Sequence, residues 1–524
     1  RTLGQNHANI CILKMNYKLI FILTFFCSAM AFAQLNPQSK KVTKSFFPEY
    51  EALENITPAL QKKKGFTDYE ELMVFLNALV AQHANVIKLS FIGESQKGKK
   101  IPLVHLTATN SDEKIKVWMQ GGLHGNEPAS SEGMLYLLHQ LLNNPKYSAL
   151  LNTVEIAMVP MANIDGYLEQ DRYAANGLDL NRDQTKLMAQ ESVSLKQAFT
   201  NFNPEVGLDF HEYRPYRKDF AQFSDFGITS LYDAMFLYTG NLNVPKNLRI
   251  LTDTLFVENA RQTLDKNGLK HHDYISTGKF GGEIHFNQGS TNARSSATNY
   301  ALTNTISTLF EIRGVGIGRT SFKRRIHTTF LLAISYLETA SINSMLVKKE
   351  IKKATEQQND IVVTSKKTIE KRTIETIDLD TNEIIELDVT IRDGLRSHAD
   401  LVRKRPIAYL VDANQTEIVK KLKTLGVIIE TLIEDQRIEV ETYKISEYKR
   451  DSKKYEKMNR QTVKTEIETK NIQFPKGTYK INIDQRRSNI ILEVLEPEAP
   501  NSFVSFGVLE TAIEAYLPIY RITK

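Results

Sequence analysis

The stretch from Ile115 to Leu142 limits the fold more than any other part of this chain. Ile115 to Gln120 is rich in β-formers and ends in Gly121-Gly122. Leu123-His124-Gly125-Asn126-Glu127-Pro128 follows, and Ser130 to Leu142 then carries apolar residues at helical spacing. A strand that passes through glycines into a helix is one half of an α/β unit. Strand patterns recur at Val86 to Ile92, Ile101 to Thr107, Val154 to Pro160, Val206 to Phe210 and Thr303 to Ile312, with a further helix over Tyr69 to Val86. The alternation predicts an α/β fold with a mixed, largely parallel sheet flanked by helices. The lone tryptophan, Trp118, belongs to its core.

The same stretch carries chemistry. Glycines let a backbone bend close to an ion or a substrate. His124 and Glu127 can offer one imidazole and one carboxylate to a single zinc ion, and a catalytic zinc takes three protein ligands and keeps one position open. Alone, His-x-x-Glu is a weak signal, since a surface histidine beside a helix-terminal acid has the same spacing. A third ligand is available in Asp209-Phe210-His211-Glu212, where an apolar strand ends. Open α/β sheets bind ligands at the carboxyl ends of their strands. Asp209 is a candidate supporting partner for the ligands. Between these positions lie Asn163-Ile164-Asp165-Gly166, Arg172, and Gly177-Leu178-Asp179-Leu180-Asn181-Arg182. Two arginines after a buried strand can hold carboxylate or oxyanion oxygens. Glu311 follows an apolar run, which suits a partly buried carboxylate able to take a proton from water.

Taken in order, these elements resemble the zinc carboxypeptidases of the carboxypeptidase A/B type, over about residues 65 to 345. The resemblance implies that His124, Glu127 and His211 hold one Zn2+ per chain. It implies that Arg172 stabilises the oxyanion and that Asn181 and Arg182 grip the substrate's terminal carboxylate. Glu311 is then the general base and later the proton donor to the leaving amine. Two departures stand out. Ile164 occupies a position where the family has proline. A tyrosine that caps the substrate is expected some twenty residues before the glutamate, but counting back from Glu311 reaches Gly289, with Tyr274 and Tyr300 the nearest candidates. The segment Gly278 to Arg294 is rich in Gly, Asn and Ser and reads as a different substrate loop, with Arg294 expected to be structural. Two other readings compete: a zinc amide hydrolase of the aspartoacylase or desuccinylase type, and a non-catalytic envelope-binding protein that retains a zinc site. His271, His272 and His285 match no strong metal template and read as surface or loop residues.

Upstream, Met15, Lys18, the apolar run Leu19 to Met30 and Ala31-Phe32-Ala33 predict a secretory signal cut after Ala33. The run is too short to span a membrane, so no stable span is expected in the mature chain. Both cysteines, Cys11 and Cys27, fall in the removed part, which leaves no thiol for catalysis or ligation. The expected organisation is an extension and signal at 1–33, a leader at 34–64, a catalytic domain at 65–345 and a C-terminal α+β accessory region at 346–524. That last region reads as strand, helix, strand over Pro406 to Glu430, then short alternating strands from Ile438, with Arg486-Arg487 on the surface. Of 524 residues, 67 are basic and 61 acidic, a net charge of +6 that argues against a dedicated nucleic-acid binder. The expected partners are peptide or protein C-termini, with peptidoglycan stem peptides a further candidate, and the expected location is the periplasm or the exterior.

Overall fold

The computed structural model describes residues 38–108 and 113–524. The signal segment and its cleavage point after Ala33 therefore lie outside the described residues.

An eight-stranded sheet organises the first part of the chain. Its spatial order is Ile87–Glu94, Lys100–Leu106, Val154–Val159, Ile115–Gly121, Val206–Tyr213, Ile306–Arg313, Ala234–Leu237 and His271–Asp273. The four middle strands are parallel, and the strands at the Ile87 edge are antiparallel. Buried parallel strands must be apolar on both faces. Ile115–Gly121 meets that demand with Val117, Trp118 and Met119 fully buried. Trp118 is core, as its sequence context predicts, edge-on to Phe199 at 5.8 Å.

Helices cover both faces. Pro128–Asn143 packs against Phe322–Ile342, while Gln190–Phe202 lies against Ile87–Glu94 and Ile115–Gly121. The first pair approaches closely because Gly133 has no side chain: a Cβ there would stand 2.3 Å from Thr329 Cγ2. Proline at the first helical position suits Pro128–Asn143, where its missing N–H would have no partner in any case. Residues ahead of the first sheet wrap onto this helix. Thr67 Oγ1 donates to Glu132 Oε2 at 2.6 Å, and the Ala59 amide donates to Glu132 Oε1 at 2.9 Å.

From Ile115–Gly121 the chain moves one way to form Val154–Val159, then crosses back to Val206–Tyr213 on the other side. This is the switch point at which open α/β sheets hold their ligands. The ends of Ile115–Gly121, Val206–Tyr213 and Ile306–Arg313 share one edge, with Gly121 opposite Phe210 and His211 opposite Glu311.

After residue 345 the chain forms elements longer than the sequence pattern suggests. Ile361–Asp378 and Ile384–Arg403 make a hairpin that joins Ile228–Ser230, Glu283–Gln288 and Ile275–Phe280 in a five-stranded sheet. A six-stranded sheet follows, with Gln436–Arg450 and Gln461–Phe474 as its long hairpin. The expectation of short strands from Ile438 fails because Gln436–Arg450 and Gln461–Phe474 are polar on much of both faces, so no clean apolar alternation marks their length. Arg486-Arg487 is not surface decoration. Arg486 NH1 donates to Asn203 Oδ1 at 3.0 Å, and Arg487, only 5% exposed, donates to the same oxygen at 2.8 Å. Asn203 is the left-handed residue that ends Gln190–Phe202, so this arginine pair latches the C-terminal region onto the first sheet's helical layer. Among the described residues no single helix is long and apolar enough to cross a membrane.

Candidate active site

The site grows out of the turn after Ile115–Gly121. Gly122 takes φ +66°, and a Cβ on it would meet Ser131 Oγ at 2.5 Å. Its amide is bound by Ser130 Oγ at 2.9 Å, and that hydroxyl donates to the Glu127 carbonyl at 2.6 Å. The turn is thereby closed onto the helix it enters, and His124 and Glu127 both point inward, 2% and 1% exposed. His211 arrives from the neighbouring strand and is fully buried. Its successor Glu212 alternates to the other face, where it pairs with Arg325 at 2.6 Å.

Three donor atoms converge. His124 Nδ1 lies 2.8 Å from Glu127 Oε1, His211 Nδ1 lies 2.8 Å from Glu127 Oε2, and the two imidazole Nδ1 atoms are 3.0 Å apart. The outer nitrogens face carboxylates: His124 Nε2 is 3.0 Å from Asp179 Oδ1 and His211 Nε2 is 2.9 Å from Asp209 Oδ2. Asp179 holds the His124 proton on Nε2 and leaves Nδ1 as a lone pair, and the nearby Asp209 carboxylate favours the same arrangement at His211. Three electron-rich atoms facing one another among buried residues suit a cation, and two imidazoles with one carboxylate suit zinc. Among the described residues this is the one group of histidines and acids so arranged. Burial works against the Glu127 charge, but the two imidazoles outweigh it and hold its carboxyl well below the usual range.

The other sequence-derived candidates assemble around this centre. Arg172 is clamped by Asp179, with Nε at 3.0 Å and NH2 at 2.9 Å from Oδ2, and its NH1 stands 3.7 Å from Glu127 Oε1. Burial opposes its charge, but Asp179 and Glu127 raise its pKa further. Asn181 and Arg182 sit in the short Leu180–Arg182 turn, which Asp179 caps by accepting from the Asn181 amide at 2.8 Å. Asn181 Oδ1 accepts from the Ser296 amide at 2.8 Å, which ties that turn to the Ser296–Ala301 helix. Glu311 lies one strand over from His211 and opens into the same cleft of about 600 Å³ that His124, Arg172, Asn181 and Arg182 line. Desolvation first, and repulsion by Glu127 second, push its carboxyl up to about 7.

Asn163 Oδ1 caps the Ile164–Leu168 helix at the Gly166 amide, 3.1 Å away. A Cβ on Gly125 would stand 2.0 Å from the Gly166 carbonyl carbon, so the Asn-x-Asp-Gly element serves to seat the His124 turn. Of the two tyrosines, Tyr300 is in the core, stacked on Phe199 at 4.1 Å, with its hydroxyl bound to Gln120. Tyr274 lines the cleft. Arg294 also lines it, donating to Tyr455 Oη at 2.6 Å.

Sequence reasoning missed the work of Asp179, although its place between Arg172 and Arg182 was a usable signal. It also missed the Asp451–Arg460 turn, from which Glu456 Oε2 accepts the Asp179 amide hydrogen at 2.9 Å. Glu456 and Lys457 both hold positive φ there.

The donor set, at the switch point of the sheet, is that of a zinc site. Residues 72–236 match the zinc carboxypeptidase family. The chain is 32% identical over 441 residues to "Carboxypeptidase 2" of Trichophyton tonsurans, covering 82% of this chain and 81% of that protein. It is 29% identical over 160 residues to "Carboxypeptidase Z" of Mus musculus, covering 27% of this chain and 24% of that protein. Carboxypeptidase A of Helicoverpa armigera is a structural neighbour at 18% identity and TM-score 0.42, covering 63% of this chain and 81% of that one. The chain belongs to the zinc carboxypeptidase family: it is a zinc-dependent hydrolase that acts on peptide C-termini.

Proposed function

We propose that this chain is an exported carboxypeptidase in which Glu311 takes a proton from the attacking water and later returns it to the leaving amine. The observation that carries the reading is the strand register that sets Glu311 beside His211, one strand from the converged His124, Glu127 and His211 donors. His124, Glu127 and His211 would hold the zinc, which would supply Lewis acidity for the scissile carbonyl and for water. Burial and the neighbouring Glu127 raise the Glu311 carboxyl above an ordinary exposed glutamate, which favours its taking up a proton and handing it on. Arg172 is held by Asp179 with its guanidinium beside the metal ligands, where negative charge develops on the carbonyl oxygen. Among the described residues the Arg182 side chain makes one hydrogen bond, to the Asn181 carbonyl at 2.8 Å, which leaves the rest of its planar fork for the terminal carboxylate. Asn181 sets that fork through its link to Ser296.

In this reading residues 65–345 are the catalytic unit and 346–524 an accessory region, and the apolar run ending at Ala33 directs export to the periplasm or the medium. Peptidoglycan stem peptides remain a candidate substrate beside ordinary peptides. The test is Glu311→Gln, measured for zinc content and for release of C-terminal residues. Retained zinc with turnover lost supports the assignment, and a near-normal rate overturns it.

A further inference from the structure

The cleft beside Glu311 carries more positive charge than a terminal carboxylate requires. Arg182, Arg217, Arg294 and Lys367 all line it, and all are half-buried. Among the described residues none of the four forms an ion pair. Their partners are neutral: Arg217 Nε donates to Thr277 Oγ1 at 2.9 Å, Arg294 to Tyr455 Oη at 2.6 Å, Lys367 Nζ to Asn287 Oδ1 at 3.2 Å, and Arg182 to a carbonyl. Elsewhere the protein pairs such groups. Arg172 has Asp179, Arg324 has Asp233, Arg325 has Glu212, and Arg403 has Glu496 and Glu498. Leaving like charges half-desolvated and unpaired in one concavity costs free energy, and an anion in the cleft offsets that cost. Burial, and then repulsion by Arg182, lower the pKa of Arg294, as expected of a cation lacking its counterion. One substrate carboxylate answers Arg182. Three cations are left over.

We infer that the cleft selects peptides whose last residue bears a carboxylate side chain, glutamate or aspartate, read by Arg217, Arg294 and Lys367. This rests on the carboxypeptidase reading above and names its substrate class. Leu237 and Ile275 line the same cleft and can meet the methylenes of such a side chain. The inference also gives the C-terminal region a task. Lys367 lies on Ile361–Asp378, and Tyr455, from the turn after Gln436–Arg450, fixes Arg294 by its hydroxyl and by its ring, 5.2 Å from the guanidinium. All of these residues lie outside the 72–236 match to the family except Arg182 and Arg217.

The test uses the zinc-loaded full chain and one peptide varied only at its last residue: Glu, Gln, Leu, Phe or Lys. The expected result is that kcat/KM for Glu exceeds that for Gln by roughly 10- to 100-fold, the worth of a charge-assisted contact, and that salt erodes the advantage. Arg294→Met and Lys367→Met are expected to lower kcat/KM for the Glu peptide more than for the Leu peptide. Should those variants misfold, binding of the Glu and Gln peptides to Glu311→Gln protein reads the same preference. A Leu, Phe or Lys peptide that outperforms Glu overturns this inference and leaves the carboxypeptidase reading intact. Failure of every peptide to lose its last residue would instead sink the carboxypeptidase reading, and this inference with it.

Discussion

Asp179 is the point at which the metal ligands and the oxyanion arginine share one support, so Asp179→Asn tests both together. The carboxylate receives His124 Nε2 at 3.0 Å on one oxygen and Arg172 Nε and NH2 at 3.0 and 2.9 Å on the other. Asparagine preserves the shape but removes the charge, and its amide nitrogen puts a donor where one of the two accepting oxygens stood. It cannot accept from both His124 and Arg172. If its oxygen stays on His124, Arg172 faces an N–H and swings free. If the oxygen turns to Arg172, His124 loses the contact that fixes its tautomer. Loss of such an outer partner lowers metal affinity about 10- to 100-fold, or about 1.4–2.7 kcal/mol. The released charged hydrogen bond to Arg172 contributes about 1.5–3 kcal/mol. Zinc affinity measured by competition with a chromophoric chelator should fall by the first amount. At saturating zinc, kcat should remain at least about tenfold down, because restoring the metal does not restore the Arg172 anchor. Zinc affinity within twofold of wild type together with normal kcat would refute the account of Asp179 as the shared support.

Arg182→Ala should raise KM far more for peptides with a free C-terminal carboxylate than for the matching amides; equal effects on both, measured by steady-state kinetics, would remove Arg182 from carboxylate binding. The Glu311 carboxyl sits near 7 because of burial and Glu127, and a bound cation nearby pulls it lower, so the acid limb of kcat/KM should fall at or below about pH 7; a limb above pH 8 would contradict Glu311 as the base. In zinc-free protein, Glu311 is raised above its unfolded value. Its contribution to stability is present below about pH 4.5 and lost as pH rises through about 7, so Glu311→Gln should raise the Tm of the metal-free chain at pH 8 and not at pH 4. Arg487→Ala removes a buried cation that binds Asn203 Oδ1 at 2.8 Å and should cost about 1–3 kcal/mol in denaturant unfolding; an unchanged midpoint would mean that the latch between the C-terminal region and the first sheet holds nothing.

What could be read from the sequence was local. Ile115 to Leu142 announces strand, turn and helix within thirty residues, and each of its signals, the apolar strand, the glycines and the helical period, agrees with the next. His211 was legible because it follows the apolar run Val206 to Phe210, and Glu311 because it follows another apolar run. Of the seven sequence-derived candidates, His124, Arg172, Asn181, Arg182 and Glu311 line one cleft, and Glu127 and His211 lie buried against His124. What was not legible depends on residues far apart in the chain. Glu456 reaches Asp179 across 277 positions, and Tyr455 reaches Arg294 across 161. No spacing rule marks such contacts. The long hairpins escaped notice because segments such as Lys366 to Arg372 place polar residues on both faces, which erases the period-two signal. Arg486-Arg487 looked like any basic surface pair, because its partner is the terminal residue of a helix almost three hundred positions earlier. The choice between Tyr274 and Tyr300 also needed packing: one side chain opens into the cleft and the other is stacked in the core.

The most direct test of the central claim is mass spectrometry of a mixed peptide library incubated with the purified chain, with chelator and with zinc restored. The account predicts loss of single residues from C-termini, abolished by the chelator and recovered with about one zinc per chain. Cleavage inside the peptides, or trimming that the chelator does not touch, would contradict it.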